Sequence, residues 1–171
     1  DAAAKAIRDV TAKAGRGRQE EIAFGETGLL LIDESYNASP ASVSAALEVL
    51  SMTRPKGQGR RIAVLGDMLE LGERSEFLHL DLLAKVCSSA DLVFTVGPMM
   101  DRMGRNLPPM LFGGNGDTAD AITEQVVASL GEGDVVLVKG SLGMAMAPIV
   151  AAIRNLADSN QLTPPTAAYG G

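Results

Sequence analysis

At 171 residues, 46% hydrophobic and 21% charged, the chain has the size and balance of one soluble globular domain with a real core. A net charge of −6 argues against a nucleic-acid partner, which a basic face would meet. No apolar run approaches the roughly 20 residues that cross a bilayer, and the single Cys87 excludes an internal disulfide and suits a reducing cytosol.

No leader-like segment opens the chain, and the abrupt start at Asp1 leaves room for an upstream segment. Residues Asp1 to Ala14 are rich in Ala, Lys and Arg, with Ile7 and Val10 as the large apolar residues, and predict a helix capped by Gly15. A short strand at Ile22–Phe24 and a turn at Gly25–Gly28 lead into a strand at Leu29–Asp33. Its run of aliphatic residues suits burial on both faces, as in a parallel sheet. Pro40–Met52 predicts a helix, with Pro in its first turn, Ser39 as N-cap and Val43, Ala46, Leu47 and Leu50 inward. The loop RPKGQGRR reads as a solvated connection to a strand at Ile62–Leu65. A helix over about Arg74–Val86 carries Phe77, Leu78, Leu82 and Val86 on one face. Cys87, near its end, reads as a small core residue in preference to a reactive thiol.

Leu92–Val96 predicts a strand, Pro98–Arg105 a short helix and Met110–Phe112 a short strand. Gly113, Gly114 and Gly116 then read as a turn, with an anion cradle as the second reading. Asp117–Leu130 predicts a helix, Val135–Val138 a strand and Gly143–Leu156 a closing helix, with a flexible tail over 158–171. Strands alternating with helices predict an α/β fold. The form is a three-layer, Rossmann-like sandwich with a mainly parallel sheet of about six strands and right-handed crossovers.

Several chemistries are excluded. There is no phosphate-binding P-loop motif, no dinucleotide fingerprint and no Cys/His metal spacing, so no metal-binding residues are assigned. Only His79 is available for a Ser-His-Asp triad. Three strand ends carry polar residues instead: Asp33 to Asn37; Gly66 and Asp67, with Glu70 a little further; and Lys139 to Ser141. In a parallel sheet all three fall along one edge, where such folds bind ligands. The carboxylates suit a cation, a ribose or a substrate ammonium; Lys139 suits a carboxylate or phosphate; Asn37 and Ser141 suit orienting hydrogen bonds. Each has a plainer reading: Asp33 and Glu34 as helix caps, Asp67 as a turn residue, Lys139 as a solvated strand end. Arg16, between Gly15 and Gly17, reads as a surface arginine or as a phosphate contact. His79 shares a helical face with Glu76 and is read as a structural histidine ahead of a functional one.

The stretches AGRGRQEEI, LIDESYNASPASVSAAL, VLGDMLELGERSEFLHL and VLVKGSLGMAM, in that order, resemble the C-terminal domain of the Mur ligase family over about residues 10–157. DESYNA-x-P and LGDMLELG resemble in particular the branch that adds D-alanyl-D-alanine. The resemblance implies a three-domain, bacterial, cytoplasmic enzyme of peptidoglycan precursor synthesis. It implies that ATP and Mg²⁺ are used to join D-alanyl-D-alanine to UDP-N-acetylmuramoyl-tripeptide through an acyl phosphate. On that reading residues 1–14 are a linker helix from a central ATPase domain, residues 15–157 are the C-terminal domain, and the fragment alone is inactive. No catalytic residue falls in this domain, where Asn37 and Lys139 position. Arg16, Asp33, Glu34 and Asn37 match ATP-contacting positions; Tyr36, Asn37, Asp67, Lys139 and Ser141 match positions near the acceptor dipeptide; His79 matches a motif histidine without an assigned role. Which of Asp33 and Glu34 meets the ribose is open. Two positions depart from the pattern: Ser39 stands where Asn is usual, and Leu142 where Arg usually follows KGS. Alternatives are another Mur-type or folylpolyglutamate-synthetase-like ligase, or a non-catalytic binding module of the same fold.

Overall fold

The structure, a computed structural model, describes residues 15–161. The helix and linker expected over 1–14 and the tail beyond residue 161 lie outside the described residues. Six strands, β1 (Arg18–Ile22), β2 (Leu29–Glu34), β3 (Arg61–Gly66), β4 (Leu92–Val96), β5 (Phe112–Gly116) and β6 (Val135–Lys139), form one sheet in the order β1-β2-β6-β3-β4-β5. All pairs are parallel except β1–β2, which is antiparallel. The helices are α1 (Pro40–Met52), α2 (Ser75–Leu80), α3 (Leu83–Ser89), α4 (Pro98–Gly104), α5 (Ala119–Ser129) and α6 (Ala147–Gln161).

Strand alternation divides the core in two. Ile32, Ala63, Leu65, Val93, Val135 and Leu137 face α1, α3 and α4. Leu29, Leu31, Ile62, Val64, Phe94, Val136 and Val138 face α5 and α6. The result is the expected three-layer sandwich, and it explains why β2, β3 and β6 read as unbroken apolar runs. The central strand β6 is buried along its whole length. The chain leaves β2 and β3 over one face and β6 over the other. A crevice therefore opens at the carboxyl ends of these three neighbours.

Helix α1 has the predicted limits. Ser39 accepts from the Ser42 amide at 3.2 Å, and the Ser42 hydroxyl accepts from the Ser39 amide at 2.9 Å, closing a reciprocal cap. Cys87 packs half-buried against the core, as read from the sequence.

Other elements differ from the expectation. The first strand lies at Arg18–Ile22, upstream of Ile22–Phe24, because its hydrogen-bonded register runs from Arg18 opposite Asp33 to Ile22 opposite Leu29. The single helix expected over 74–86 is a short turn followed by α2 and α3, broken at Asp81–Leu82. The break turns Phe77 to the surface, while Leu82 and Val86 stay buried. The RPKGQGRR loop is anchored at its end: Arg60 donates to Asp134 at 3.0 Å and to the Ser129 carbonyl at 2.6 Å. Helix α6 starts after a short turn at Leu142–Met144 and runs on to Gln161.

The largest difference is β5, whose sequence is FGGNG. Glycine-rich segments rarely pair in sheets. Here the absence of side chains lets the Phe94 ring lie against the strand: a Cβ on Gly113 would sit 2.7 Å from its Cζ. The glycines are therefore neither a turn nor an anion cradle.

Candidate functional site: a ridge between clefts at the carboxyl edge

The register places Glu34 of β2 beside Lys139 of β6, and Leu65 of β3 beside Lys139 on its other flank. The three polar strand ends read from the sequence therefore meet at one edge. They do not all face solvent.

Asp33 is buried and fully engaged. Its Oδ1 accepts from the Ser35 amide at 3.1 Å and hydroxyl at 2.6 Å; its Oδ2 accepts from the Gly15 amide at 3.1 Å and Arg154 Nη2 at 3.2 Å. Asp67, also buried, accepts from the amides of Met99 at 3.2 Å and Met100 at 2.6 Å. It thus caps α4, whose own N-cap position is Gly97, a residue with no side chain to offer. The Ser141 hydroxyl accepts from the Leu69 amide at 2.8 Å and donates to the Ala38 carbonyl at 3.3 Å. His79 is fully buried; its Nε2 accepts from the Met68 amide at 2.9 Å, so Nδ1 carries the proton and donates to the Ser75 carbonyl at 2.7 Å. Glu76 does not share that environment, since it pairs with Arg102 at 2.6 Å on the surface. These four side chains hold the edge together.

Lys139 stands between the two groups. Its side chain is 3% exposed, and Nζ donates to the Asn37 carbonyl at 2.9 Å and lies 3.5 Å from Glu34 Oε2. Burial pushes its pKa below the ordinary 10.5, and the Glu34 carboxylate works against that shift.

The residues left facing solvent are Arg16, Glu34, Tyr36, Asn37, Glu70 and Leu142, with Glu34 the partly covered one of them. Tyr36 and Asn37 form a ridge. The Arg16 guanidinium stacks on the Tyr36 ring, 4.3 Å from its centroid. On that side lies a cleft of about 250 Å³ lined by Arg16, Glu34, Ser39, Ser42 and Lys139 together with the ridge. Two cations against one carboxylate, with two hydroxyls, suit an anionic ligand that also carries hydroxyls. On the other side a cleft of about 440 Å³ is lined by Tyr36, Asn37, Leu69, Glu70, Ser141, Leu142 and Gly143. A third cleft, about 350 Å³, runs from Tyr36 and Leu142 down α6 to Arg154. Tyr36 borders all three.

Three contributors were not visible in the sequence reading. Arg154 bridges Glu20 at 3.0 Å and Asp33 at 3.2 Å; a lone arginine in a helix gives no sign of such a partner. Leu69 looks like an ordinary core residue but lines the larger cleft. Ser42 looks like a helix-surface serine, although its place three residues after Ser39 marks a cap.

Residues 17–142 match the family model described as Mur ligase, glutamate ligase domain. The chain is 33% identical to the UDP-N-acetylmuramoyl-tripeptide–D-alanyl-D-alanine ligase of Bacillus subtilis over 78% of its length, and 35% identical to the Escherichia coli protein of that name over 83%. In each case it covers 30% of the relative, so it spans about a third of the length of these proteins. Its fold superposes on the MurF ligase of Thermotoga maritima, solved in complex with ADP, with a TM-score of 0.72 and 25% identity, covering 89% of this chain and 33% of that one. With a family model matched across most of its length and a fold shared with a MurF structure, the chain belongs to the Mur ligase family, as its C-terminal domain.

Proposed function

We propose that this chain is the C-terminal domain of an ATP-dependent, cytoplasmic bacterial ligase that adds D-alanyl-D-alanine to UDP-N-acetylmuramoyl-tripeptide. The observation that carries the reading is the run of curated relatives bearing that name over most of the chain. The site supports it chemically. An amide-bond ligase must keep an anionic nucleotide apart from a cationic acceptor amine until they are aligned. Here a cleft lined by two cations and one whose single formal charge is Glu70 share the Tyr36–Asn37 ridge.

The donor set of the smaller cleft fits nucleotide phosphates at Arg16 and Lys139. Of the acidic pair, Glu34 is the candidate for a ribose hydroxyl, since Asp33 is already spent on four bonds. Bound ATP would supply the phosphoryl group that activates the tripeptide carboxylate. A Mg²⁺ used with the ATP would be bound mainly by the central domain. The domain runs from residue 15 through the end of α6, four residues beyond the expected limit at 157; residues 1–14 connect it to a preceding ATPase domain, and the acceptor dipeptide enters on the Glu70 side. Asn37 and Lys139 act by positioning: Lys139 holds the Asn37 backbone, and Asn37 presents its amide at the ridge.

The test uses the protein encoded by the complete reading frame, supplied with ATP, UDP-N-acetylmuramoyl-tripeptide and D-alanyl-D-alanine. ADP release that depends on both substrates is expected, with no ligation by the 171-residue chain alone. ADP release driven by a single amino acid in place of the dipeptide, or ligation by the chain alone, would refute it.

A further inference from the structure

The larger cleft gathers exposed apolar side chains around one carboxylate. Seven large hydrophobic side chains are exposed among the described residues, and three of them, Tyr36 (42%), Leu69 (42%) and Leu142 (62%), line this one cavity. Glu70 is the one carboxylate that lines the cavity, and no lysine, arginine or histidine lines it. Its carboxylate has no hydrogen bond or ion pair among the described residues. The Ser141 hydroxyl on the floor is already committed to Leu69 and Ala38. Asn37 uses its Oδ1 on the Ala38 amide at 2.9 Å, which leaves its NH₂ as a donor towards the cavity.

The backbone at Glu70 is unusual as well. Its φ is 62°, in the left-handed region that a residue with a Cβ seldom adopts. The neighbouring Leu69 amide is pinned to Ser141 of the β6 edge. Strained positions of this kind persist where the surroundings hold them, and they gather at ligand sites.

An unpaired carboxylate, one amide donor, the two leucines and the Tyr36 phenol define a ligand. It carries an ammonium group, a carbonyl and small apolar groups. They provide no cation for a carboxylate: no lysine or arginine lines this cavity, Arg16 and Lys139 line the smaller cleft, and Arg154, on the third cleft, is engaged by Glu20 and Asp33. We infer that Glu70 is the residue that holds the acceptor's ammonium, and that the cleft reads the acceptor by its amine, its carbonyl and its methyl groups while leaving the terminal carboxylate unread. The inference rests on the ligase reading above and sharpens it. Acceptors whose C-terminus is neutral, such as a carboxamide, should enter as well as the free dipeptide or better, because a free carboxylate is repelled by Glu70.

The experiment titrates the 171-residue chain with three ligands and follows amide proton–nitrogen correlation spectra. The ligands are D-alanyl-D-alanine, its C-terminal carboxamide, and the N-acetylated dipeptide. The first two should shift the amides of Leu69, Glu70, Leu142 and Gly143, with the carboxamide at least as tight. The N-acetylated ligand should shift none. Glu70→Gln should weaken both binders about fivefold, the scale of a partly solvated ion pair. Glu73→Gln, the same charge change at an exposed position outside the cleft, should leave binding as it is.

Three results overturn the inference and leave the ligase reading standing: a carboxamide bound about tenfold more weakly than the dipeptide, an E70Q chain that titrates like the parent, or an N-acetylated dipeptide that binds as well as the free one. Absence of shifts from the dipeptide at millimolar concentrations overturns the inference too, and the ligase reading is then judged by ligation with the complete protein. A free amino acid such as D-glutamate that displaces the dipeptide's role, shifting the same amides with the same dependence on Glu70, supports the amine site and removes the dipeptide reading.

Discussion

Replacing Asp67 by Ala separates its two readings. As a ligand contact at a strand end, Asp67 would be dispensable for folding, and removal of a buried charge would cost the fold little. As the cap of α4, it is indispensable. The carboxylate accepts from two amides, at 2.6 and 3.2 Å, in a site where the residue is 4% exposed. A Cβ on Gly97 would sit 2.6 Å from the Asp67 carboxyl carbon, so the cap is packed as tightly as it is bonded. Asp67→Ala leaves the Met99 and Met100 amides unpaired with little room for water. Each lost charge-assisted bond is worth about 1.5–3 kcal/mol, and the two share one carboxylate, so the loss should be about 3 kcal/mol. With a urea slope of about 2 kcal/mol/M for a domain of this size, the midpoint falls by about 1.5 M. Urea denaturation followed by circular dichroism measures it. Asp67→Asn keeps one acceptor but turns an NH₂ towards the second amide, and should lose about half as much. A loss below about 0.5 kcal/mol for the alanine variant, the range of ordinary surface changes, would refute the cap and restore a ligand role for Asp67.

Gly113→Ala drives a methyl group into the buried Phe94 ring and should cost about 1–3 kcal/mol; an unchanged urea midpoint would show that β5 does not need its glycine. His79→Ala leaves the Met68 amide unpaired beside a new cavity, a loss of about 2–4 kcal/mol, and should speed hydrogen exchange at Met68; an exchange rate equal to the parent's would contradict the buried bond. Lys139 has a folded-state pKa below its unfolded value, so the unfolded chain binds more protons in the window below 10.5. Stability should therefore rise as pH climbs towards 10.5, and Lys139→Met should abolish that part of the rise; identical slopes in urea titrations of the two chains would refute it.

The fold was legible wherever local and global demands coincide. Four interior strands announce themselves as aliphatic runs because both their faces are covered. Helix α1 is bounded by Ser39 and Pro40, which act locally and need no partner. What was not legible depends on contacts across the molecule. FGGNG forms a strand because the Phe94 ring, far along in the chain, occupies the space that side chains would fill. The break between α2 and α3 carries no glycine or proline to mark it. At the site, the sequence located the edge but not which groups remain available there. Asp33, Asp67 and Ser141 look like chemistry in one dimension, whereas His79 reads as structural and proves so; the partners Arg154, Met100, Leu69 and Met68 are assembled only in three. Tyr36 and Asn37 come straight after a buried strand and remain exposed, which is why that motif was informative.

The strand order has a consequence for how the domain comes into being. The middle place in the sheet, between β2 and β3, is filled by β6, the last of the described strands in chain order. Without β6 the pairings that remain fall into two separate pieces, β1–β2 and β3-β4-β5, with the β2 and β3 edges that β6 covers left unpaired. Such unpaired edges are what chaperones cover and what aggregation exploits. Completing the sheet thus waits on a keystone, since the strand that carries Lys139 both joins the two halves and brings together the two sides of the candidate edge.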